Sequence, residues 1–126
     1  MLIEQIKQAQ HWEDRYRLLI QGGKQIPTPN ESELTDWIAI QGCEAGLWVK
    51  ISLNTDRTLA FQAYSEARII NGLLQVLTEA LKGKTPEQIQ SFSISCIFNE
   101  LGIAQRLSNT RLNGLKQIEM LIKQLI

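Results

Sequence analysis

Hydrophobic and polar positions along this chain follow three regimes: helical, then extended, then helical again. From Leu2 to about Gln21 the apolar residues recur at helical spacing. Trp12, Tyr16, Leu19 and Ile20 are separated there by Glu13, Asp14, Arg15 and Arg17, which predicts helix in one piece or two. Gly22-Gly23 stops this element, and Pro27 and Pro29 block an immediate restart, so Lys24 to Glu33 reads as extended loop. The pattern then shortens to strands. Trp37 to Ile40 is one run, and Leu47 to Leu53 is a second, with Val49, Ile51 and Leu53 on one face. Asn54-Thr55-Asp56-Arg57 is turn chemistry, and Thr58 to Tyr64 resumes the extended pattern. Three antiparallel strands follow, joined by a connection from Gln41 to Gly46 and by a hairpin.

The remainder is helical. Ser65 is placed as the N-cap of a helix to about Leu81, with Ile70, Leu73, Leu74, Leu77 and Leu81 on one face. Gly83 closes it. Thr85-Pro86-Glu87-Gln88 then supplies an N-cap, a first-turn proline and a capping-box glutamine. A short helix from Ile94 to Leu101 ends at Gly102, and Ser108 starts a last helix with Leu115, Ile118, Leu121, Ile122 and Leu125 on its face. The chain shows no internal repeat or low-complexity segment. This order predicts an α+β fold, a small three-stranded antiparallel sheet packed with helices, with 1–126 as a single domain.

Composition narrows the function by exclusion. Hydrophobic residues are 44% and charged residues 21% of the 126, ordinary for a globular chain. Lys plus Arg and Asp plus Glu are 13 each, and the arginines form no run, so nucleic acid is not expected as a partner. No apolar run approaches the roughly 20 residues that span a bilayer. Glu4 and Lys7 interrupt the first residues, where a secretory leader needs an apolar core. A cytoplasmic protein without a membrane partner is expected.

The candidate chemistry is confined to few residues. The two cysteines, Cys43 and Cys96, form no CxxC, and a zinc site needs more Cys or His than this chain has. Cys43 stands in Gln41-Gly42-Cys43-Glu44-Ala45-Gly46, between two strands. A thiol there can be offered at the surface by a rigid base, and Gly42 and Gly46 permit close approach of a partner. Partly ionised, it can attack the sulfur of a persulfide. The alternative is a small hydrophobe tucked into the core. Cys96, in Ile94-Ser95-Cys96-Ile97-Phe98, reads as core packing. His11 is the one histidine, beside Trp12 on an exposed turn, and no oriented base for a Cys-His mechanism is visible. Phosphate-loop, dinucleotide and zincin motifs are absent.

Four segments together resemble the SufE/CsdE family. They are Trp12-Glu13-Asp14-Arg15-Tyr16-Arg17 with Gly23-Lys24 and Pro27; Gln41-Gly42-Cys43 with Trp48; Ser65-Glu66-Ala67, Gly72-Leu73-Leu74 and Gly83-Lys84-Thr85-Pro86; and Glu100-Leu101-Gly102 with Leu107 to Leu115. They cover nearly the full length in order. Gly-Cys-Glu leans to the CsdE branch. Tyr64 and Ala45 depart from the acidic and polar residues that members often carry there.

The resemblance implies a sulfur acceptor with no cofactor of its own. Its loop cysteine, Cys43, takes sulfur from the persulfide of a PLP-dependent cysteine desulfurase (SufS- or CsdA-like) and stimulates that enzyme. The sulfur then passes to a downstream iron–sulfur scaffold or another acceptor. Arg111, in the C-terminal signature, is placed either to stabilise the Cys43 thiolate or persulfide, or to ion-pair with Glu100 or another carboxylate. Glu44, beside the cysteine, opposes its ionisation and is assigned with Gly42 and Gly46 to partner binding. Trp48 is expected in the core at the strand start. The competing readings are an iron–sulfur scaffold, which needs about three cysteine or histidine ligands, and a non-catalytic interaction module.

Overall fold

The first helical stretch is two helices, α1 (Leu2–Gln8) and α2 (Trp12–Gly23). Extended backbone at Ala9 and His11 separates them. The Arg15 guanidinium fixes the corner by donating twice to the Ala9 carbonyl, at 3.0 and 3.2 Å. The structure, a computed structural model, describes residues 1–41 and 46–125.

The chain between α2 and the sheet is not wholly extended. Asn30 and Glu33 form a capping box that winds one short helix, α3 (Glu31–Leu34). The extended loop expected from Lys24 to Glu33 is therefore cut short at Glu31, and Pro27 and Pro29 only delay the helix.

The sheet has three antiparallel strands in the order β1 (Ile38–Ala39), β2 (Leu47–Leu53), β3 (Leu59–Ser65). Register pairs Ile38 with Val49, Val49 with Ala63 and Leu53 with Leu59. Alternation sends Leu47, Val49, Leu59, Ala63 and Ser65 into the interior. Leu53 shares their face but stands at the hairpin end of β2 and is exposed.

α4 (Arg68–Leu81) packs on β3 and buries the predicted face, Ile70, Leu73, Leu74, Leu77 and Leu81. It begins after Ala67. Ser65 is not its cap, because β3 continues through Ser65 and engages that side chain elsewhere. α2 crosses α4 at backbone distance: a Cβ on Gly23 would stand 2.7 Å from the Gly72 nitrogen. Glu79, on α4, accepts from the Leu2 and Ile3 amides at 3.2 Å each and so closes the N-terminus of α1.

The last third wraps the same core. α5 (Pro86–Gln90) starts with the expected capping box, in which the Thr85 amide donates to Gln88 Oε1 at 2.9 Å. Next come α6 (Ile94–Glu100), a 3-10 turn (Ala104–Arg106) and α7 (Asn109–Leu125). Glu119 on α7 accepts from the Ile94 amide at 2.6 Å, so α7 anchors the start of α6. Leu115, Ile118 and Ile122 of α7 are buried as expected, whereas Leu125 extends past the core into solvent. No helix among the described residues is long and apolar enough to cross a membrane.

Candidate functional site

The connection from Gln41 to Gly46 joins β1 to β2. Gly42, Cys43, Glu44 and Ala45 lie outside the described residues. Its two ends are hydrogen-bonded to the sheet. At the entry, the Ile40 amide donates to the Leu47 carbonyl at 2.9 Å, directly beyond the Ala39–Trp48 pair.

At the exit, the Gly46 carbonyl accepts two hydrogen bonds, from Ser65 Oγ at 2.8 Å and from the Glu66 amide at 3.2 Å. Ser65 Oγ in turn accepts from the Ala67 amide at 3.1 Å. Asn71, in the first turn of α4, closes the network: its Oδ1 accepts from the Ser65 amide at 2.8 Å, and its Nδ2 donates to the Ser65 carbonyl at 2.9 Å. Ser65 is 1% exposed and every polar atom named is paired, which makes this a rigid base.

Trp48 and Tyr64 are a directly opposed cross-strand pair, stacked with ring centroids 6.1 Å apart and planes at 19°. Both lie on the face away from Val49 and are half-buried. The expectation of Trp48 in the core is therefore corrected: strand alternation turns it away from the interior, onto Tyr64. Gly46 has a local reason too. A Cβ there would stand 2.5 Å from the Trp48 ring and would also meet the Glu66 carboxylate.

Beside this exit lies a groove lined by Lys24, Tyr64, Ser65, Glu66, Arg68 and Asn71. In the sequence Glu66 stands out only as part of a matching motif. The signal that could have found Glu66 and Arg68 is position, directly after the strand that pairs with the exit of the connection.

Arg111 is the third residue of α7 and half-buried. Its amide donates to Ser108 Oγ at 3.2 Å, so Ser108 caps the helix as expected. The ion pairs among the described residues are Arg17–Asp14, Arg57–Glu87 and Lys123–Glu119, and an Arg111–Glu100 pair, one of the alternatives the sequence left open, is not among them.

Cys96 is exposed, which overturns its reading as a core residue. α6 turns Ile94 and Phe98, four residues apart, inward, and Cys96 falls on its other side. His11 is exposed at the start of α2. Among the described residues no group of three or more His, Cys, Asp or Glu side chains could hold a metal ion. Asp56 is held below its ordinary carboxylate range by hydrogen bonds from the Thr58 hydroxyl and amide, but at the end of β2 opposite Gly46.

Fold and connection thus define a class: an α+β protein with a cysteine between the first two strands of a small antiparallel sheet. A family profile described as "SufE: Fe-S metabolism associated domain" matches residues 1–126. The chain belongs to the SufE family. An uncharacterized SufE-like protein of Haemophilus influenzae is 52% identical over 124 residues, 98% of each chain. The protein named sulfur acceptor protein CsdE of Escherichia coli is 38% identical over 107 residues, 85% of this chain and 73% of that one. The fold is shared with the solution structure of a hypothetical protein from Thermus thermophilus, at a TM-score of 0.77 and 17% identity, over 97% of this chain and 88% of that one.

Proposed function

We propose that this protein is a sulfur acceptor that takes persulfide sulfur from a PLP-dependent cysteine desulfurase onto Cys43. The observation that carries the reading is the likeness to the Escherichia coli protein named as a sulfur acceptor, which spans 85% of this chain. The family's description as associated with Fe-S metabolism supports iron–sulfur assembly as the destination. The protein acts as a carrier in the cytoplasm rather than as an enzyme with a cofactor of its own.

The chemistry needs one nucleophile. The Cys43 thiolate attacks the terminal sulfur of the partner's persulfide and forms a new sulfur–sulfur bond. The old bond breaks, its electron pair stays on the partner's cysteine as a thiolate, and the terminal sulfur keeps its proton. One sulfur–sulfur bond replaces another, so no external oxidant or reductant enters. Freeing the desulfurase cysteine is what stimulates the enzyme.

Arg111 serves in this reading to favour the thiolate or persulfide anion, and Gly42, Glu44 and Gly46 take part in partner contact. The hydrogen-bonded exit at Gly46 supports a nucleophile carried on a firm base.

Intact mass spectrometry after incubation with a cognate desulfurase and free cysteine tests the reading. A gain of one sulfur, mapped to Cys43, absent from Cys43→Ser and retained in Cys96→Ser, is the expected result. No gain with an active desulfurase removes the acceptor function and leaves an interaction module.

A further inference from the structure

The connection that carries Cys43 has two unlike flanks. On the Gly46 side the groove holds the charges of Lys24, Glu66 and Arg68. On the Gln41 side a shallow depression of about 370 Å³ opens between β1 and the C-terminal half of α7. Ile38, Ile40, Met120 and Leu121 supply its apolar surface, and Gln41, Gln117 and Gln124 its polar one. Among the described residues no charged side chain lines it.

Ile38 is 40% and Met120 59% exposed, two of the large apolar side chains that folding leaves in water. The fold does not account for Met120. On α7 it lies outside the buried pair Ile118 and Ile122, where the rest of the outer face is polar, as at Lys116 and Gln124. β1 is an edge strand, so among the described residues no further strand of this sheet lies on its far side.

Chain geometry ties this surface to the sulfur chemistry. Gln41 lies two residues before Cys43, so their Cα atoms are within about 7.6 Å, and those of Ile40 and Cys43 within about 11.4 Å. A standard protein interface covers about 800 Å² on each partner, a disc of about 16 Å radius. A protein whose persulfide reaches Cys43 therefore covers the connection together with one or both flanks.

We propose that the β1–α7 depression is the apolar anchor on which the persulfide-bearing desulfurase docks, an inference that rests on the sulfur-acceptor reading. The partner presents an uncharged apolar side-chain cluster beside its persulfide cysteine, and this cluster covers Ile38 and Met120. Burial there holds the complex, while Lys24, Glu66 and Arg68 on the other flank orient it.

The test measures sulfur loading of Cys43 by the desulfurase against carrier concentration, for wild type, Ile38→Glu, Met120→Glu and the milder Met120→Gln. Leu53→Glu, at an exposed apolar position at the hairpin end, is the control. Alkylation of Cys43 by iodoacetamide reports the thiol independently of any partner.

The expected result is a half-saturating concentration at least about tenfold higher for both glutamate variants and raised less by Met120→Gln, with Leu53→Glu and all alkylation rates like wild type. Wild-type half-saturation in the folded variants, or an equal rise with Leu53→Glu, overturns the docking site while leaving the acceptor reading intact. No loading of wild type by an active desulfurase overturns both.

Discussion

The buried Ser65 hydroxyl donates to the Gly46 carbonyl at 2.8 Å and thereby ties the end of β3 to the exit of the cysteine connection. The same oxygen accepts from the Ala67 amide, so Ser65 serves two backbone groups at once. Ser65→Ala removes both bonds without adding volume. Gly46 keeps its bond from Glu66, which limits the loss to about 1–2 kcal/mol. The urea midpoint is expected to fall with an unchanged slope.

A larger effect is expected where α2 meets α4. A Cβ on Gly72 would run into the backbone carbonyl of Leu19, 2.7 Å from its carbon, and no side chain can rotate to relieve a backbone contact. Gly72→Ala is therefore expected to cost about 3 kcal/mol, at the upper end for overpacking. Gly83→Ala makes the contrast. That residue has φ +75° and nothing within 4 Å of where a Cβ would stand, so its cost is backbone strain alone, about 1 kcal/mol. Chemical denaturation of the two variants side by side checks the order.

How far the sequence reaches depends on whether a feature is periodic. The apolar stripe of α4 and the capping box at Thr85 are legible, because each follows from local spacing. Ser65 reads wrongly as a helix cap because a serine before a helix and a serine ending a strand look alike in one dimension. Its partner, Gly46, is 19 residues away. Cys96 misleads for a related reason. An apolar neighbourhood in sequence says nothing about which side of a two-turn helix faces inward. The chemistry proposed for the Gln41 to Gly46 connection rests on its residues, whereas its two flanks depend on α4 and α7 arriving from far along the chain.

The β2–β3 turn should respond to acid. Hydrogen bonds from the Thr58 hydroxyl, then from its amide, hold Asp56 below its ordinary value of 3.8. A carboxylate depressed on folding stabilises the turn above that value and loses the contribution as pH falls through the lower folded value. Protection of the Thr58 amide from hydrogen exchange is thus expected to drop on acidification below about pH 4, with the change absent in Asp56→Ala. Protection that is flat through this range would show that the backbone bonds from the Asn54 amide to the Thr58 carbonyl and from the Arg57 amide to the Asn54 carbonyl hold the turn without Asp56.

Arg111 offers the sharpest separation of chemistry from architecture. Its amide is satisfied by Ser108 and its side chain is half-buried, with no carboxylate within ion-pair distance among the described residues. Arg111→Met keeps much of the side chain's packing while deleting the charge, so the urea midpoint should move by less than about 1 kcal/mol equivalent. If the guanidinium favours the anionic form of Cys43, iodoacetamide should alkylate the variant several-fold more slowly near pH 7, because only the thiolate reacts. The difference should close near pH 10, where the thiol ionises without help. Equal alkylation at both pH values would assign Arg111 to the α7 framework. A slower rate at both would point to a blocked approach rather than a lost charge.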